Sequence, residues 1–343
     1  MKILVGMSGG VDSAYATYKL LREGHTVAGA VLEMHDYTDT ASAKEVCDTL
    51  GIPIYIINCK DLFESCVVSN FIDEYRRART PNPCVICNSE VKFECLLDFA
   101  LANGFDRIAT GHYARIGTSE TGEGKRYCIE LSRDGKKDQT YMLWRLSQRV
   151  LSHLLLPLSD VKKEEVALFN SELKLVPVDK KESQEICFIP DNDHAAFIES
   201  RVGKSPEGDF VDDEGNVVGR HKGIINYTVG QRKGHGVALG ARAFISDIDP
   251  ENNRITLSLK TSERYSFTVS GIVFSGIEAP KSEEKMRLEV KHRYHSPRIS
   301  ATVSFLPEGR AEVVLDEPAR SLTPGQSAVF YLGERLAFGG FID

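Results

Sequence analysis

Residues 80–93 read TPNPCVICNSEVKF, which places two thiols, Cys84 and Cys87, three positions apart behind a pair of prolines. A CxxC pair is suited to four chemistries: a zinc site, a dithiol redox couple, an iron–sulfur cluster, or a single sulfur nucleophile. Structural zinc takes four ligands, usually as two close pairs, and the chain has only one CxxC. A thioredoxin-type pair follows a strand and opens a helix in a much smaller fold, whereas this one lies between two helical patterns. A third thiol, Cys187, sits in KKESQEICFIP (180–190), between a charged stretch and Phe188-Ile189. Taken alone it reads as a small buried hydrophobe, and so do Cys47, Cys59, Cys66, Cys95 and Cys128.

A second motif supplies different chemistry. GMSGGVDS, residues 6–13, follows the apolar run Ile3–Val5 and opens a helical pattern over Ser13–Arg22. Gly9 and Gly10 let backbone N–H groups converge on an anion, and the helix start adds partial positive charge. Ser8 and Ser13 add hydroxyl donors, while Gly6, Met7 and Val11 complete the turn. There is no GK[ST] and no GxGxxG spacing. Asp12 would repel a bare phosphate, and its carboxylate makes sense where Mg²⁺ bridges it to a polyphosphate. The plainer alternative is a capped strand–helix turn. SGGxDS in this setting resembles the PP-loop of the ATP pyrophosphatase superfamily. The resemblance implies cleavage of ATP between its α and β phosphates, with AMP placed on the substrate. It also implies that Leu32, ending the second strand, lies beside adenine and that Gly111 borders the nucleotide.

These loops need a scaffold, and the first half supplies strands alternating with helices. Strands are expected at Val27–Leu32, Ile54–Ile57 and Arg107–Ala109, with helices at Ala41–Leu50, Leu62–Arg77 and Val91–Ala102. A hairpin with its tip at 117–125 joins Tyr113–Ile116 to Tyr127–Glu130. Helical patterns return at Lys162–Leu173 and His194–Arg201. The expected fold class is α/β: a parallel-sheet PP-loop domain of the adenine nucleotide alpha hydrolase-like kind (1–204), a small β-rich middle domain (205–264) and a C-terminal β-barrel (265–343). The 343 residues are too many for one core. No apolar run reaches the ~20 residues of a membrane helix. The start, MKILVGMSGG, breaks into glycine too early for a signal peptide. Eight cysteines without such a signal point to reduced thiols in the cytoplasm. A net charge of −7 argues against a general DNA binder and leaves room for local basic patches that hold RNA.

In chain order stand SGGVDS, TPNPxxxCNxxVKF, ATGHYAR (109–115), KDQTYML (137–143), ESQEICFI (182–189), YTVGQRKG (227–234), KHRYHSP (291–297) and LTPGQSAVFY (322–331). Together they resemble the bacterial tRNA-specific 2-thiouridylase family, MnmA, along nearly the whole chain. The resemblance implies ATP- and Mg²⁺-dependent replacement of the C2 oxygen of a wobble uridine by sulfur, in the tRNAs for Lys, Glu and Gln. It puts the nucleophile on Cys87 and a persulfide on Cys187, loaded by a sulfur carrier or cysteine desulfurase. The two end as a disulfide, which demands Cα atoms within about 7 Å. Asn82, Pro83, Cys84 and His112 fall at the target base. Lys137, Asp138, Gln139, Arg293, Tyr294 and Gln326 fall on the anticodon arm. A monomer bound to one tRNA is expected.

One position departs from the pattern. Many members of that family carry NPD where this chain has NPC, and the carboxylate there serves as an acid–base group. Cys84 replaces it poorly. An alternative is that Cys84, Cys87 and Cys187 hold a 4Fe–4S cluster whose open iron delivers sulfide. Basic clusters flank the active segments: Arg76, Arg77 and Arg79; Lys180 and Lys181; Arg220, His221 and Lys222; Arg232 and Lys233; Lys291 and His292. Each alone is an ordinary wet surface. Rival readings are an amide-forming PP-loop ligase, which needs no reactive cysteine pair, and a non-catalytic RNA binder that holds ATP.

Overall fold

The computed structural model describes residues 1–122, 124–173, 175–177, 186–260, 263–280 and 284–343. Its first layer is a five-stranded parallel sheet in the order Ile54–Asn58, Thr26–Glu33, Lys2–Gly6, Arg107–Thr110, Leu154–Leu155. The central strands read as unbroken apolar runs because both faces are covered; Ile3, Leu4 and Val5 are fully buried. Chain order reverses around Lys2–Gly6, which pairs with the second strand on one side and with Arg107–Thr110 on the other. Such a reversal opens a crevice at the carboxyl ends of the two strands, where ligands of open α/β sheets bind.

The helices begin and end where local chemistry directs. Asp39 caps Thr40–Leu50 through the Ser42 N–H at 3.0 Å, and Gly51 closes it at φ 69°. Two expectations shift. The cysteine segment, expected between two helical patterns, is itself helical: Pro83 opens a turn over Pro83–Ile86 that runs through a π-helical stretch, Cys87–Lys92, into Phe93–Ala102. Proline suits a first helical position because its missing N–H would be unpaired there anyway. The hairpin strands run longer than expected, Arg115–Thr121 against Gly124–Glu130, since backbone pairing of a polar ribbon needs no apolar side chains. The helix Gln148–His153 and the short strand after it carry too little periodicity to be read in advance.

A second sheet orders Phe244–Asp249, Arg254–Ser258, Gly208–Val211 and Val217–His221. Then six antiparallel strands close into a barrel: Glu263–Val273, Arg310–Arg320, Ile299–Leu306, Lys285–Lys291, Ser327–Leu332 and Arg335–Ile342, the last pairing back onto the first. Alternate residues such as Val303, Val313 and Phe338 fill its interior. Among the described residues no helix is long and apolar enough to cross a membrane.

The barrel is not a free appendage. Trp144, the chain's single tryptophan, is fully buried against it, and its indole N–H donates to Ser327 Oγ at 3.0 Å. Gly339 lies flat under the ring, so close that a Cβ there would sit 2.5 Å from the indole. Gly339→Val therefore forces the two apart and costs about 1–3 kcal/mol of overpacking. The expected outcome is a lower denaturation midpoint with red-shifted Trp144 fluorescence in the folded protein; unchanged emission would show that the barrel does not depend on this contact.

Candidate active site

The phosphate loop leaves Lys2–Gly6 and turns through Gly9 at φ 69° into the helix Val11–Arg22. Gly10 stands at the helix N-cap with no side-chain cap, leaving the first amides of the helix for a ligand. The two serines brace the turn. The Gly10 N–H donates to Ser8 Oγ at 3.3 Å, and Ser13 Oγ donates to the Gly10 carbonyl at 2.9 Å. Met7 is buried beneath, its N–H bonded to the Ala30 carbonyl at 2.8 Å. Across the crevice Gly111 follows its strand directly. A Cβ there would meet the Asp12 carbonyl carbon at 2.7 Å and the Ser13 nitrogen at 2.8 Å. Only glycine permits this approach.

Asp12 is already engaged. Lys163 Nζ donates to its two carboxylate oxygens at 2.7 and 2.8 Å, and Tyr113 Oη–H donates at 2.9 Å. Lys163 lies outside every motif read from the sequence, and only the packing of its helix, Lys163–Leu173, brings it here. An ammonium thus stands where the loop's carboxylate would meet a metal, so the position suits a cation.

Cys84 is exposed on the first turn behind Pro83, while Cys87 is buried one turn on and donates to Met34 Sδ at 3.5 Å. Leu32 joins Cys87 in one apolar cluster. The segment 186–189 carries Cys187 to them. Phe188 is its anchor: the ring packs edge-on against Phe63 and Phe71, each at 5.4 Å, and against Phe197 at 5.5 Å. The three thiols feel one another electrostatically. Burial pushes the Cys87 thiol up to about 12; Lys92 pulls it back, and Cys187 and Cys84 push it further. Cys187 itself is exposed, and desolvation by its surroundings raises its thiol, with Cys84 adding and Lys92 opposing. Lys180, Lys181 and the first part of ESQEICFI lie outside the described residues.

Lys92 is the cation that sequence reading missed, although the motif VKF contains it. Among the described residues its side chain has no hydrogen-bond or ion-pair partner, yet Cys87 and Cys187 both sense it. His112 senses it too: desolvation, then Lys92, pulls its imidazole down to about 3, so the ring is neutral. It shares a 2.9 Å hydrogen bond with Thr110. Among the described residues no group of three Cys, His, Asp or Glu side chains is arranged to hold a metal ion. Cys84, Cys87 and Cys187 therefore do not form a ready cluster site, and no step below runs through iron.

Several residues matched to tRNA contacts serve as struts in this structure. Gln326 Nε2 donates to the carbonyls of Thr80 and Pro81 at 3.1 and 3.2 Å. Asn82, behind those carbonyls, is buried. Arg293 donates to Ser321 O and Thr323 Oγ1, and burial lowers its pKa. Tyr294 Oη donates to the Asp138 carbonyl at 3.3 Å. Asp138 accepts from Ser132 and Thr140, and Gln139 Oε1 accepts the Tyr113 N–H at 2.9 Å. Lys137 lies half-buried in the same turn, its N–H on the Asp134 carbonyl at 3.1 Å. Of the basic residues, His221 and His292 are buried, Arg220 pairs with Asp209 and Arg79 with Glu74. Arg77, Lys222, Arg232 and Lys233 remain exposed. The last two share a cavity of about 360 Å³ with His235 and Arg242, and it includes no cysteine and no residue of the phosphate loop.

A phosphate loop at the reversal point of a parallel sheet, with free thiols at Cys84, Cys87 and Cys187, defines a PP-loop type of nucleotide-binding enzyme site. Family models agree along the chain: the tRNA methyl transferase HUP domain over residues 1–191, the tRNA methyl transferase PRC-barrel domain over 195–259, and the aminomethyltransferase beta-barrel domain over 264–342. The tRNA-specific 2-thiouridylase MnmA of Acetivibrio thermocellus is 44% identical over 100% of this chain and 99% of its own length. MnmA 1 of Clostridium botulinum strain Loch Maree is 41% identical, again over 100% of this chain and 99% of that one. The chain belongs to the MnmA family. Among solved structures, NMN synthetase from Francisella tularensis covers 53% of this chain and 66% of its own at 17% identity and TM-score 0.34, too weak a likeness to carry any argument.

Two outcomes follow from this geometry. Gly111→Ala pushes into the Asp12–Ser13 backbone and lowers ATP affinity by at least ~tenfold, measured by calorimetry. Cys87 alkylates slowly at neutral pH, and its rate climbs roughly tenfold per pH unit while the thiol stays mostly protonated. Mass-spectrometric footprinting from pH 7 to 10 measures it, and a plateau below pH 9 would contradict the buried, raised thiol. Lys92→Ala slows the reaction further at every pH.

Proposed function

We propose that this chain 2-thiolates the wobble uridine of tRNA through ATP-dependent adenylation and a two-cysteine sulfur relay. Family membership supports the activity: the chain is a tRNA sulfurtransferase of the MnmA family. The observation that carries the relay is the anchoring of Phe188, which sets Cys187 within electrostatic reach of Cys87 and Cys84.

The chemistry proceeds in two stages. The uracil C2 oxygen attacks the α-phosphorus of ATP, the α–β bridging bond breaks, and pyrophosphate leaves. The unpaired amides behind Gly10 and the serine hydroxyls hold the phosphates, and Mg²⁺ accompanies the triphosphate. The base now carries AMP as its leaving group. A partner desulfurase or carrier loads Cys187 as a persulfide. Cys87 attacks the inner sulfur of Cys187, forming a Cys87–Cys187 disulfide and releasing the outer sulfur as sulfide. The sulfide attacks C2, and AMP departs with the original oxygen. An external thiol returns two electrons to reopen the disulfide. Lys92 is placed to favour the thiolate of Cys87 and to hold the released anion. His112 is neutral and cannot repel an incoming cation or protonate the sulfide. The exposed cations Arg77, Lys222, Arg232, Lys233 and Arg242 are available to the phosphates of the anticodon arm, in a contact that weakens with salt.

The test is thiolation of an unmodified tRNA transcript with ATP, Mg²⁺ and a cysteine desulfurase, using iron-free enzyme. Cys87→Ala, Cys87→Ser and Cys187→Ala each lose more than about a thousandfold in rate, and Cys84→Ala loses less than about tenfold. A Cys87→Ser enzyme that still thiolates the transcript would overturn the two-cysteine relay. An iron-free wild type that is inactive until reconstituted would replace the relay by the cluster route.

A further inference from the structure

Met34 stands one residue past the strand Thr26–Glu33, at the carboxyl edge of the parallel sheet. Its backbone is pinned on both sides. The Glu33 carbonyl accepts the Cys59 N–H at 2.9 Å, and Thr38 Oγ1 accepts the N–H groups of Met34 and His35, each at 3.3 Å. The Thr38 N–H returns to the His35 carbonyl at 3.1 Å, which closes the turn. The side chain leaving this turn is half-buried against the apolar cluster that contains Leu32, Phe63 and Cys87. An aliphatic side chain of the same size would fill that space equally well. The thioether adds a directional contact: Met34 Sδ accepts the Cys87 thiol proton at 3.5 Å. Among the described residues the Cys87 side chain has no other hydrogen bond.

Thioether sulfur is a soft, weak acceptor. It holds the Cys87 sulfur in one orientation without gripping the proton as an oxygen would. A hydrogen bond to the neutral thiol opposes ionisation, in the same sense as the burial of Cys87. Of the groups that face Cys87, Lys92 opposes burial, Cys187, Cys84 and Cys95 add to it, and Cys59 is within electrostatic reach. Attack of one sulfur on another needs the incoming atom aligned with the bond that breaks, and a small misplacement costs much of the rate. We propose that Met34 is a positioning residue for sulfur transfer: its thioether sets the orientation from which Cys87 attacks the inner sulfur of the Cys187 persulfide. The inference rests on the relay proposed above. Met34 acts through Cys87 and takes no part in making or breaking bonds.

The experiment pairs two readouts on the full chain. Single-turnover thiolation of an unmodified transcript, with ATP, Mg²⁺ and a cysteine desulfurase, follows the transfer. Iodoacetamide labelling of Cys87 between pH 7 and 10, read by mass spectrometry, follows the thiol without any turnover. Met34→Leu keeps the apolar volume and removes the acceptor. Its thiolation slows at least ~fivefold, while the half-saturating concentrations of tRNA and ATP stay within about twofold. Its Cys87 labels at least ~twofold faster, because the neutral thiol has lost its hydrogen bond. Met34→Gln keeps an acceptor at similar reach and holds the proton more firmly. It labels at least ~twofold slower than the wild type and yet thiolates faster than Met34→Leu. A side chain that only packs gives the reverse ranking, with Met34→Leu near normal and Met34→Gln poor. That ranking, or Met34→Leu labelling no faster than the wild type, overturns the assignment. The labelling of Met34→Gln decides by itself if Met34→Leu does not fold. A wild type that thiolates no transcript overturns the thiolation reading instead, and the labelling order then still tests the Met34 contact.

Discussion

The amide of Gln326 donates to the carbonyls of Thr80 and Pro81, and the site depends on this grip. Those carbonyls precede the helical turn that presents Cys84 and Cys87. The same stretch is held from two further directions. The Thr80 N–H donates to the Pro324 carbonyl at 2.8 Å, and Thr80 Oγ1 meets Thr228 Oγ1 at 3.5 Å. Gly325 sits at φ 86°, close enough that a Cβ would lie 2.9 Å from the Thr80 oxygen. The barrel, the middle sheet and the α/β layer therefore meet at one piece of backbone, and the proline-rich approach to the thiols is shared among them.

This explains why residues matched to tRNA contacts are engaged inside the protein. Arg293, Tyr294, Asp138, Gln139 and Gln326 are hydrogen-bonded to the backbone that joins the three units. Their positions couple the loops that carry them to the two strands whose ends form the crevice. Tyr113 shows the coupling most directly: its N–H is held by Gln139 and its hydroxyl bonds to Asp12. A shift in the 137–140 turn is therefore felt at the phosphate loop.

The thiols present an electrostatic contrast. Cys87 is buried, and its sulfur is costly to ionise, whereas Cys84 faces solvent three residues earlier. Burial thus shields Cys87 from adventitious oxidation, while the exposed Cys84 is open to it. His112 is neutral, and Lys92, whose side chain has no partner among the described residues, places a positive charge that Cys87 and Cys187 both sense.

Much of the fold was legible in advance. Periodicity and glycine punctuation located the parallel strands, their helices and the barrel, because those patterns follow from backbone geometry and one-sided burial. SGGVDS declared a phosphate loop since glycine freedom and a helix start are local properties. Local signals placed the helix start too late, at Val91 where the structure has it at Pro83, and missed Gln148–Leu155, where the pattern is too short. The packing of Phe188 and Ile189 into the apolar cluster of Cys87, the closure of Lys163 on Asp12 and the pull of Lys92 on Cys87 and Cys187 were set by tertiary packing. Sequence fixes which groups exist and the local conformations they favour. Which of them meet depends on how Phe188 and the Lys163 helix bury their apolar sides, and that free energy is shared among distant segments.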